Sequence, residues 1–118
     1  MAATATLLDE LIETRGVKGA YEVDTDGFLL SCIDTGTQDR DAVAAGAAVT
    51  MISSERLGEM LGMGGLTWLL LEFSEGKMIM ARSGTRIWVV AANNHVLLGD
   101  IIMKIRARSG QTAGTDGP

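Results

Sequence analysis

The sequence contains one cysteine and one histidine in 118 residues, and each shortage excludes a class of site. With Cys32 alone, the chain has no intramolecular disulfide and no zinc site made of several cysteines. With His95 alone, histidine clusters are excluded, and a catalytic triad would depend on that one side chain. Aromatic residues are also scarce, at 4%, so the 47% of hydrophobic residues is mainly aliphatic.

Basic residues and long apolar runs are scarce as well. The sequence contains 10 Lys and Arg and 15 Asp and Glu, which gives a net charge of −5. No cluster of basic residues reaches the density that binding to a phosphate backbone requires. Nucleic acids and anionic membranes are therefore poor partners, and we expect no membrane insertion. No apolar run approaches the roughly 18 residues of a spanning helix. The N-terminal apolar stretch is interrupted by acids and lacks a basic start, so we expect no signal peptide and a cytoplasmic protein.

Apolar periodicity and turn signals predict eight elements in the order α-β-β-α-β-β-β-α. Helices are expected at about 4–15, 39–61 and 95–108. Strands are expected at about 19–24, 28–33, 66–73, 77–82 and 86–92, with Asp26-Gly27 as the first hairpin turn. We expect one α/β (α+β) domain over residues 1–108 and a disordered tail over residues 109–118.

The second helix is the most unusual element. Between Ala42 and Ile52 only Thr50 is polar, and a helix that is apolar all round is covered on more than one side. Small residues four apart, such as Ala44 and Ala48, permit close approach of another backbone. We therefore expect one side of this helix to lie on the sheet and another to meet a partner.

Three candidate sites have simpler structural explanations. The glycines at 58, 62, 64 and 65 leave a helix rather than follow a strand, so they indicate a helix end and not a phosphate loop. His95 is expected at the surface or in a helix cap, because no nucleophile with a third group accompanies it. Cys32 alternates in phase with Phe28 and Leu30, which indicates a small core residue.

The paired charges also favour structural roles. Asp24/Asp26 and Asp39/Asp41 lack the further oxygen ligands of a calcium loop, so turn formation and helix capping explain them. Arg82 and Arg86 flank a turn; they could grip a phosphate or a partner carboxylate, but solvated arginines are commoner there. We expect no catalytic residue, no cofactor and no metal, and interpret the chain as a binding module.

Several short segments, taken together, resemble the roadblock/dynein light chain family, and within it the bacterial MglB-like regulators of Ras-like GTPases. These are GVKGA at 16–20, the Asp26-Gly27 turn, AVAA at 42–45 and NHVLLG at 94–99. The resemblance implies a profilin-like, three-layer sandwich: a five-stranded antiparallel sheet with the second helix on one face and the terminal helices on the other.

The resemblance also implies a homodimer that pairs the third strands and packs the second helices together. Carried onto this sequence, the dimer interface comprises Ala44, Ala45, Ala48, Met51, Ile52, Glu55, Leu69, Leu70 and Leu71. Pairing the third strands removes an exposed edge that an apolar strand could not safely leave bare.

The function implied by the resemblance is a non-catalytic regulator or scaffold that binds a small Ras-like GTPase and modulates its hydrolysis or localisation. Such regulators reposition the GTPase's own residues, so no arginine of this chain is expected to be catalytic. The candidate contacts are Ser53, Arg56, Glu59 and Met60. The alternative is a PAS or profilin-like small-molecule sensor, and an enzyme is disfavoured because nucleophiles and bases are few.

Overall fold

The computed structural model describes residues 6–36 and 38–109. The elements follow the predicted order: α1 (Leu7–Ile12), β1 (Val17–Asp24), β2 (Leu29–Asp34), α2 (Arg40–Met60), β3 (Leu69–Phe73), β4 (Gly76–Ser83), β5 (Arg86–Ala92) and α3 (Leu98–Ser109). In the described part of the chain, no helix has the length and apolar character needed to cross a membrane.

The five strands form one antiparallel sheet in the order β2-β1-β5-β4-β3. The central strand β5 pairs with both β1 and β4, so β2 and β3 lie at opposite edges. Each face of the sheet is covered by helices, which confirms the predicted three-layer arrangement. Both edge positions bear on function, because an edge strand can pair with another chain.

Two hydrophobic cores lie on the two faces of the sheet. Residues of α1 and α3, including Leu11, Ile101 and Ile105, pack on the first face. Residues of α2 pack on the second, where Met51 and Val89 are buried together. Alternate residues of β4 and β5 therefore enter different cores, as expected for strands that are apolar on both faces.

The first helix is shorter than expected and has defined ends. It begins at Leu7 because Thr6 forms a capping box with Asp9: the Asp9 backbone N–H donates to Thr6 Oγ1 at 3.1 Å, and the Thr6 N–H donates to Asp9 Oδ2 at 2.9 Å. The hydrogen bonds that the Asp9 carboxylate accepts from the Thr6 N–H and from the Thr6 hydroxyl lower the pKa of the Asp9 carboxyl. At the other end, Lys104 Nζ of α3 donates to Glu10 O at 3.2 Å and to Thr14 Oγ1 at 2.6 Å, which fixes the two terminal helices together.

The third helix begins at Leu98, three residues later than expected. The Asn93 side chain accepts a hydrogen bond from the His95 N–H at 2.9 Å, and the Val96 N–H bonds to Asn93 O at 3.4 Å. These bonds form a turn instead of a first helical turn, since asparagine side chains compete for nearby backbone donors. The helix continues to Ser109, so the expected tail starts one residue too early, and residues 110–118 lie outside the described residues.

The β1–β2 pairing contains an irregularity that changes one prediction. Glu22 pairs with Ser31 and Val23 pairs with Leu29, so Leu30 is an extra residue in β2 and is exposed. Cys32 therefore shares its face with Leu29, not with Phe28 and Leu30, and packs at the margin of the α2 core. Its expected role as a small core residue is retained, but the phase was wrong because of the bulge.

The junction between β2 and α2 is held by a polar network around the buried Asp34 carboxylate. Arg40 donates to it through Nη2 at 2.8 Å and Nε at 3.2 Å, and Tyr21 donates its hydroxyl at 3.0 Å. The hydrogen bond from Arg40 is the main reason that the pKa of Asp34 lies below its ordinary value. Burial raises the pKa of Tyr21. The network fixes the position at which the chain passes from β2 into α2.

Candidate dimer and partner interface

The rotation of α2 about its axis determines which of its residues a partner can reach. Ala44, Ala48 and Met51 are 0%, 3% and 1% exposed, and all three pack on the chain's own sheet. Their prediction as dimer contacts is corrected, because these side chains already fill the intramolecular core. The pattern misled because this helix is apolar all round, and apolar spacing alone does not fix the rotation of such a helix.

Glu55 is also directed to its own chain. Its carboxylate forms a salt bridge with Arg82 of β4, and both side chains are partly buried. Arg82 Nε additionally donates to Gly84 O at 3.0 Å in the β4–β5 turn. Glu55 thus joins α2 to the hairpin, which differs from its predicted role in the dimer.

Two grooves lie along the side of α2 that faces β3. The first has a volume of about 280 Å³ and lies between Val43, Gly46 and Thr50 of α2 and Leu71 and Phe73 of β3. The second has a volume of about 380 Å³ and is mainly apolar; its lining includes Ser54, Leu57, Leu61, Leu66 and Leu69. The side of α2 that contains both grooves is here called the α2–β3 flank.

A stripe of small residues runs along this flank at Gly46, Thr50 and Ser54. The Thr50 hydroxyl donates to Gly46 O at 2.7 Å, and the Ser54 hydroxyl donates to Thr50 O at 2.8 Å. Because both hydroxyls donate within the helix, the stripe presents a narrow surface with little hydrogen-bonding demand. The i, i+4, i+8 spacing of these residues is visible in the sequence, but the predicted interface contains the neighbouring alanines instead.

Strand β3 presents the other half of the flank. It pairs with β4 alone, so its outer edge has no partner strand in the described chain. Leu69 and Leu71 point toward α2, whereas Leu70 lies on the opposite face and is exposed. Phe73, which is not among the predicted interface residues, is 55% exposed at the end of the strand. The three predicted β3 residues therefore lie at an available edge.

The opposite flank of α2 lies against the β1–β2 turn. A Cβ placed on Gly27 would be 3.5 Å from Ala45 Cα and 3.7 Å from Ala48 Cβ, so the turn contacts the helix backbone closely. Ala45 and Ile52 are exposed on this flank. The structure therefore separates these two predicted dimer residues from the α2–β3 flank.

The four predicted GTPase contacts share the solvent side of the C-terminal half of α2. Ser53, Arg56, Glu59 and Met60 are all exposed. They lie within two helical turns of one another, and Glu59 also lines a cavity with Glu55 and Arg82. The structure brings these four residues together on one accessible surface.

The residues that were considered as candidates for catalysis or metal binding lie in turns, helix caps and ion pairs, or at the surface. Asp24 Oδ1 accepts backbone hydrogen bonds in the first turn, and Asp39 caps α2 through the Ala42 N–H at 3.1 Å. Arg86 pairs with Glu22, and His95 is exposed. Gly62 and Gly64 adopt φ of +67° and +81° after α2, in keeping with a helix end. No group of three metal-binding side chains occurs within residues 6–36 and 38–109.

Within the described residues, the unpaired edge of β3 adjoins an apolar flank and an exposed polar helix surface, a combination typical of interaction modules. The chain belongs to the Roadblock/LC7 domain family, whose profile matches residues 3–98. This membership supports a regulatory or scaffolding role.

Individual proteins agree with the family assignment. The chain is 34% identical over 93 residues to an uncharacterized protein of Methanocaldococcus jannaschii, a match that covers 79% of this chain and 82% of the relative. MglB of Myxococcus xanthus has a similar fold, with a TM-score of 0.80, 24% identity and coverage of 88% of this chain and 86% of MglB. The gliding protein MglB of Thermus thermophilus has a TM-score of 0.77 at 18% identity, covering 87% and 80% of the two chains. The fold is therefore MglB-like.

Proposed function

We propose that this chain acts as a homodimer that binds a small Ras-like GTPase and modulates its GTP hydrolysis or localisation. The observation that carries the dimer is the α2–β3 flank, where an unpaired strand edge lies beside exposed apolar residues. A second copy of β3 would satisfy the backbone donors and acceptors of this edge and extend the sheet to ten strands. Because the same surface would serve both copies, the assembly would be a closed twofold dimer.

The direction of the elements supports this arrangement. The start of α2 at Val43 lies near the end of β3 at Phe73, and the end of α2 at Leu61 lies near Leu66. The two elements therefore run in opposite directions. A twofold axis through the middle of β3 would pass close to Thr50 and Ser54, so the two α2 helices would meet at their small residues. Small residues at a crossing permit close helix contact.

The GTPase half of the proposal rests on the family and on the exposed surface of α2. The MglB-like resemblance implies a GTPase partner, and the exposed side chains of Ser53, Arg56, Glu59 and Met60 supply a surface for it. In a dimer these surfaces would lie on both sides of the α2 crossing. The protein would act by holding the GTPase's catalytic residues in position, without supplying a catalytic group itself.

The small-molecule sensor is less well supported. PAS domains place several short helices between the second and third strands, whereas here one helix of 21 residues fills that interval. The two grooves along α2 are open and adjoin an unpaired strand, which suits a protein partner better than an enclosed ligand. A ligand retained through purification and seen by native mass spectrometry would revive this alternative.

The proposal is tested by measuring binding and hydrolysis with purified Ras-like GTPases from the same genome. Wild-type protein should bind at least one of them and change its hydrolysis rate or its location in cells. The combined substitution Arg56→Glu and Glu59→Lys should abolish binding while keeping the net charge.

The matched control is Glu13→Lys with Arg15→Glu, which reverses two exposed charges beyond the opposite face of the sheet. This control should bind normally. Binding that survives the Arg56/Glu59 substitution would exclude the assigned surface. If no GTPase binds the wild-type dimer, the proposed function is wrong.

A further inference from the structure

The α2–β3 flank has an exposed aromatic side chain at one end and an apolar groove at the other. Phe73 lies at the end of β3, is 55% exposed and lines the first groove together with Val43. The second groove, of about 380 Å³, lies at the start of β3, where Leu57 of α2 and Leu69 line it. Resting on the proposed homodimer, we infer that Phe73 of each copy fills the second groove of the other, with Leu71 on the twofold axis.

The side chains that carry this inference lie on the face of the sheet that α2 covers. Leu69 and Leu71 pack at the α2 core, and Leu71 and Phe73 both line the first groove beside α2. Alternate residues of a strand share a face, so these three residues form one apolar row along β3. Leu70 and Glu72 therefore belong to the opposite face, on which α1 and α3 pack.

The position of α2 restricts how two β3 strands can pair. A shift of one residue in a strand pairing moves every side chain to the other face. The two copies of α2 can meet only if both lie on the same face of the joined sheet, so residues of the apolar row must lie opposite residues of the same row. Among antiparallel registers, those centred on Leu70, Leu71 or Glu72 meet this condition and pair at least three residues of each strand.

Of these registers, the one centred on Leu71 suits β3 best. It pairs all five residues of the strand, whereas centring on Leu70 or Glu72 leaves two residues at one end of each strand unpaired. Centring on Glu72 would also place two like charges directly opposite each other, which is unfavourable. With Leu71 on the axis, Phe73 of one copy lies opposite Leu69 of the other, and Leu69 lines the second groove.

The second groove and the Phe73 ring are complementary in chemistry. The lining of the groove contains four leucines, of which Leu57 and Leu61 are 56% and 62% exposed in the single chain. Each copy therefore has exposed leucines at one end of the flank and an exposed ring at the other. Because a twofold axis through the middle of β3 exchanges the two ends, one association covers both kinds of apolar surface in both copies. The occupant that the flank itself specifies is a second copy of this chain.

Disulfide cross-linking reads the register directly. Single cysteines are placed at positions 70, 71 and 72 of a Cys32→Ser chain, which contains no other cysteine. Leu71→Cys should give a disulfide-linked dimer, because directly opposite residues lie within the roughly 4.4–6.8 Å between Cα atoms that a disulfide spans. Leu70→Cys and Glu72→Cys should stay unlinked on non-reducing gels, since each would lie diagonally from its counterpart, at about 7–8 Å.

The substitution Phe73→Ser tests the ring itself. Because the ring is exposed in the single chain, its loss should leave the fold intact by circular dichroism. Removing an aromatic anchor should raise the dimer dissociation constant in sedimentation by about tenfold at each of two equivalent sites, or about 100-fold in total. Phe28→Ser is the matched control, because Phe28 is 69% exposed beside β2 at the opposite sheet edge and should leave dimerisation unchanged. Leu57→Ser combined with Phe73→Ser should weaken the dimer by less than the product of the two single effects, because both remove the same contact.

The outcomes separate this inference from the proposed function. Cross-linking through position 70 or 72 instead of 71 would overturn the inference and leave the homodimer and its GTPase binding intact, as would wild-type dimer affinity of folded Phe73→Ser. A folded dimer that none of the three cysteines cross-links would use a surface other than β3 and would also overturn the inference. If the wild-type chain sediments as a monomer, the inference and the proposed homodimer are both wrong.

Discussion

The substitution Gly46→Ala should stabilise the isolated chain, but it should weaken the dimer if α2 meets a second copy at its small-residue stripe. Gly46 lies in the interior of α2, in its N-terminal third, and a Cβ built on it meets no atom within 4 Å. The single chain therefore has room for the methyl group. Since glycine is less favourable than alanine in a helix interior by about 1 kcal/mol, each isolated chain should become more stable.

In the dimer the same methyl group would occupy the space between two closely packed helices. Overpacking a well-packed contact typically costs about 1–3 kcal/mol, and a twofold dimer contains two copies of the change. The free energy of dimerisation should therefore weaken by about 2–6 kcal/mol. A loss of this size corresponds to a rise in the dimer dissociation constant of roughly 30-fold or more.

Sedimentation equilibrium over a range of protein concentrations measures this dissociation constant. Gly99→Ala is the matched control, because Gly99 lies in α3, is exposed and also has no atom within 4 Å of a built Cβ. Both variants gain helix propensity, but only Gly46→Ala should lose dimer affinity. If Gly46→Ala dimerises as tightly as Gly99→Ala, the two α2 helices do not pack together along the small-residue stripe and the proposed interface is incorrect.

Two further predictions concern the stability of the single chain. Lys104→Met should lower the free energy of unfolding by about 1–2 kcal/mol in urea titrations, because it removes the hydrogen bonds to Glu10 O and the buried Thr14 hydroxyl. The control Lys18→Met, at an exposed position, should leave the free energy of unfolding nearly unchanged. Equal effects of the two substitutions would argue against a stabilising role of the Lys104 hydrogen bonds. Asp34 has a folded-state pKa below its ordinary 3.8, so its charged form stabilises the fold above about pH 4, and that contribution is lost as the pH falls through the folded pKa. The stability difference between wild type and Asp34→Asn should thus be constant from about pH 5 to 7 and shrink toward about pH 3, and a difference independent of pH would contradict this role.

The order of elements and the layer arrangement could be predicted because they depend on local patterns. The alternation in β4 and β5, the Asp26-Gly27 turn and the glycines after α2 each specify structure over a few residues. The predicted starts of α1 and α3 were wrong for a local reason too. The Thr6 side chain accepts a backbone hydrogen bond that defines the start of α1, and the Asn93 side chain accepts one that forms a turn before α3.

The residues that α2 leaves available to a partner were harder to predict, because they depend on the rotation of this one helix about its axis. From Ala42 to Ile52 the side chains are nearly all small or apolar, so several rotations satisfy the pattern. Contacts distant in sequence decide among them: the turn at Gly27 lies against Ala45, and Arg82 holds Glu55. These contacts direct Ala44, Ala48 and Met51 to the core and leave Gly46, Thr50 and Ser54 on the β3 flank.

Native mass spectrometry of the protein mixed with a Ras-like GTPase from the same genome, loaded with a non-hydrolysable GTP analogue, tests the central claim most directly. The measurement reports dimer formation and partner binding in one spectrum. We predict a complex in which two 12.4-kDa chains are bound to the GTPase. Single chains with no bound GTPase, for every Ras-like GTPase of that genome and in either nucleotide state, would contradict the account.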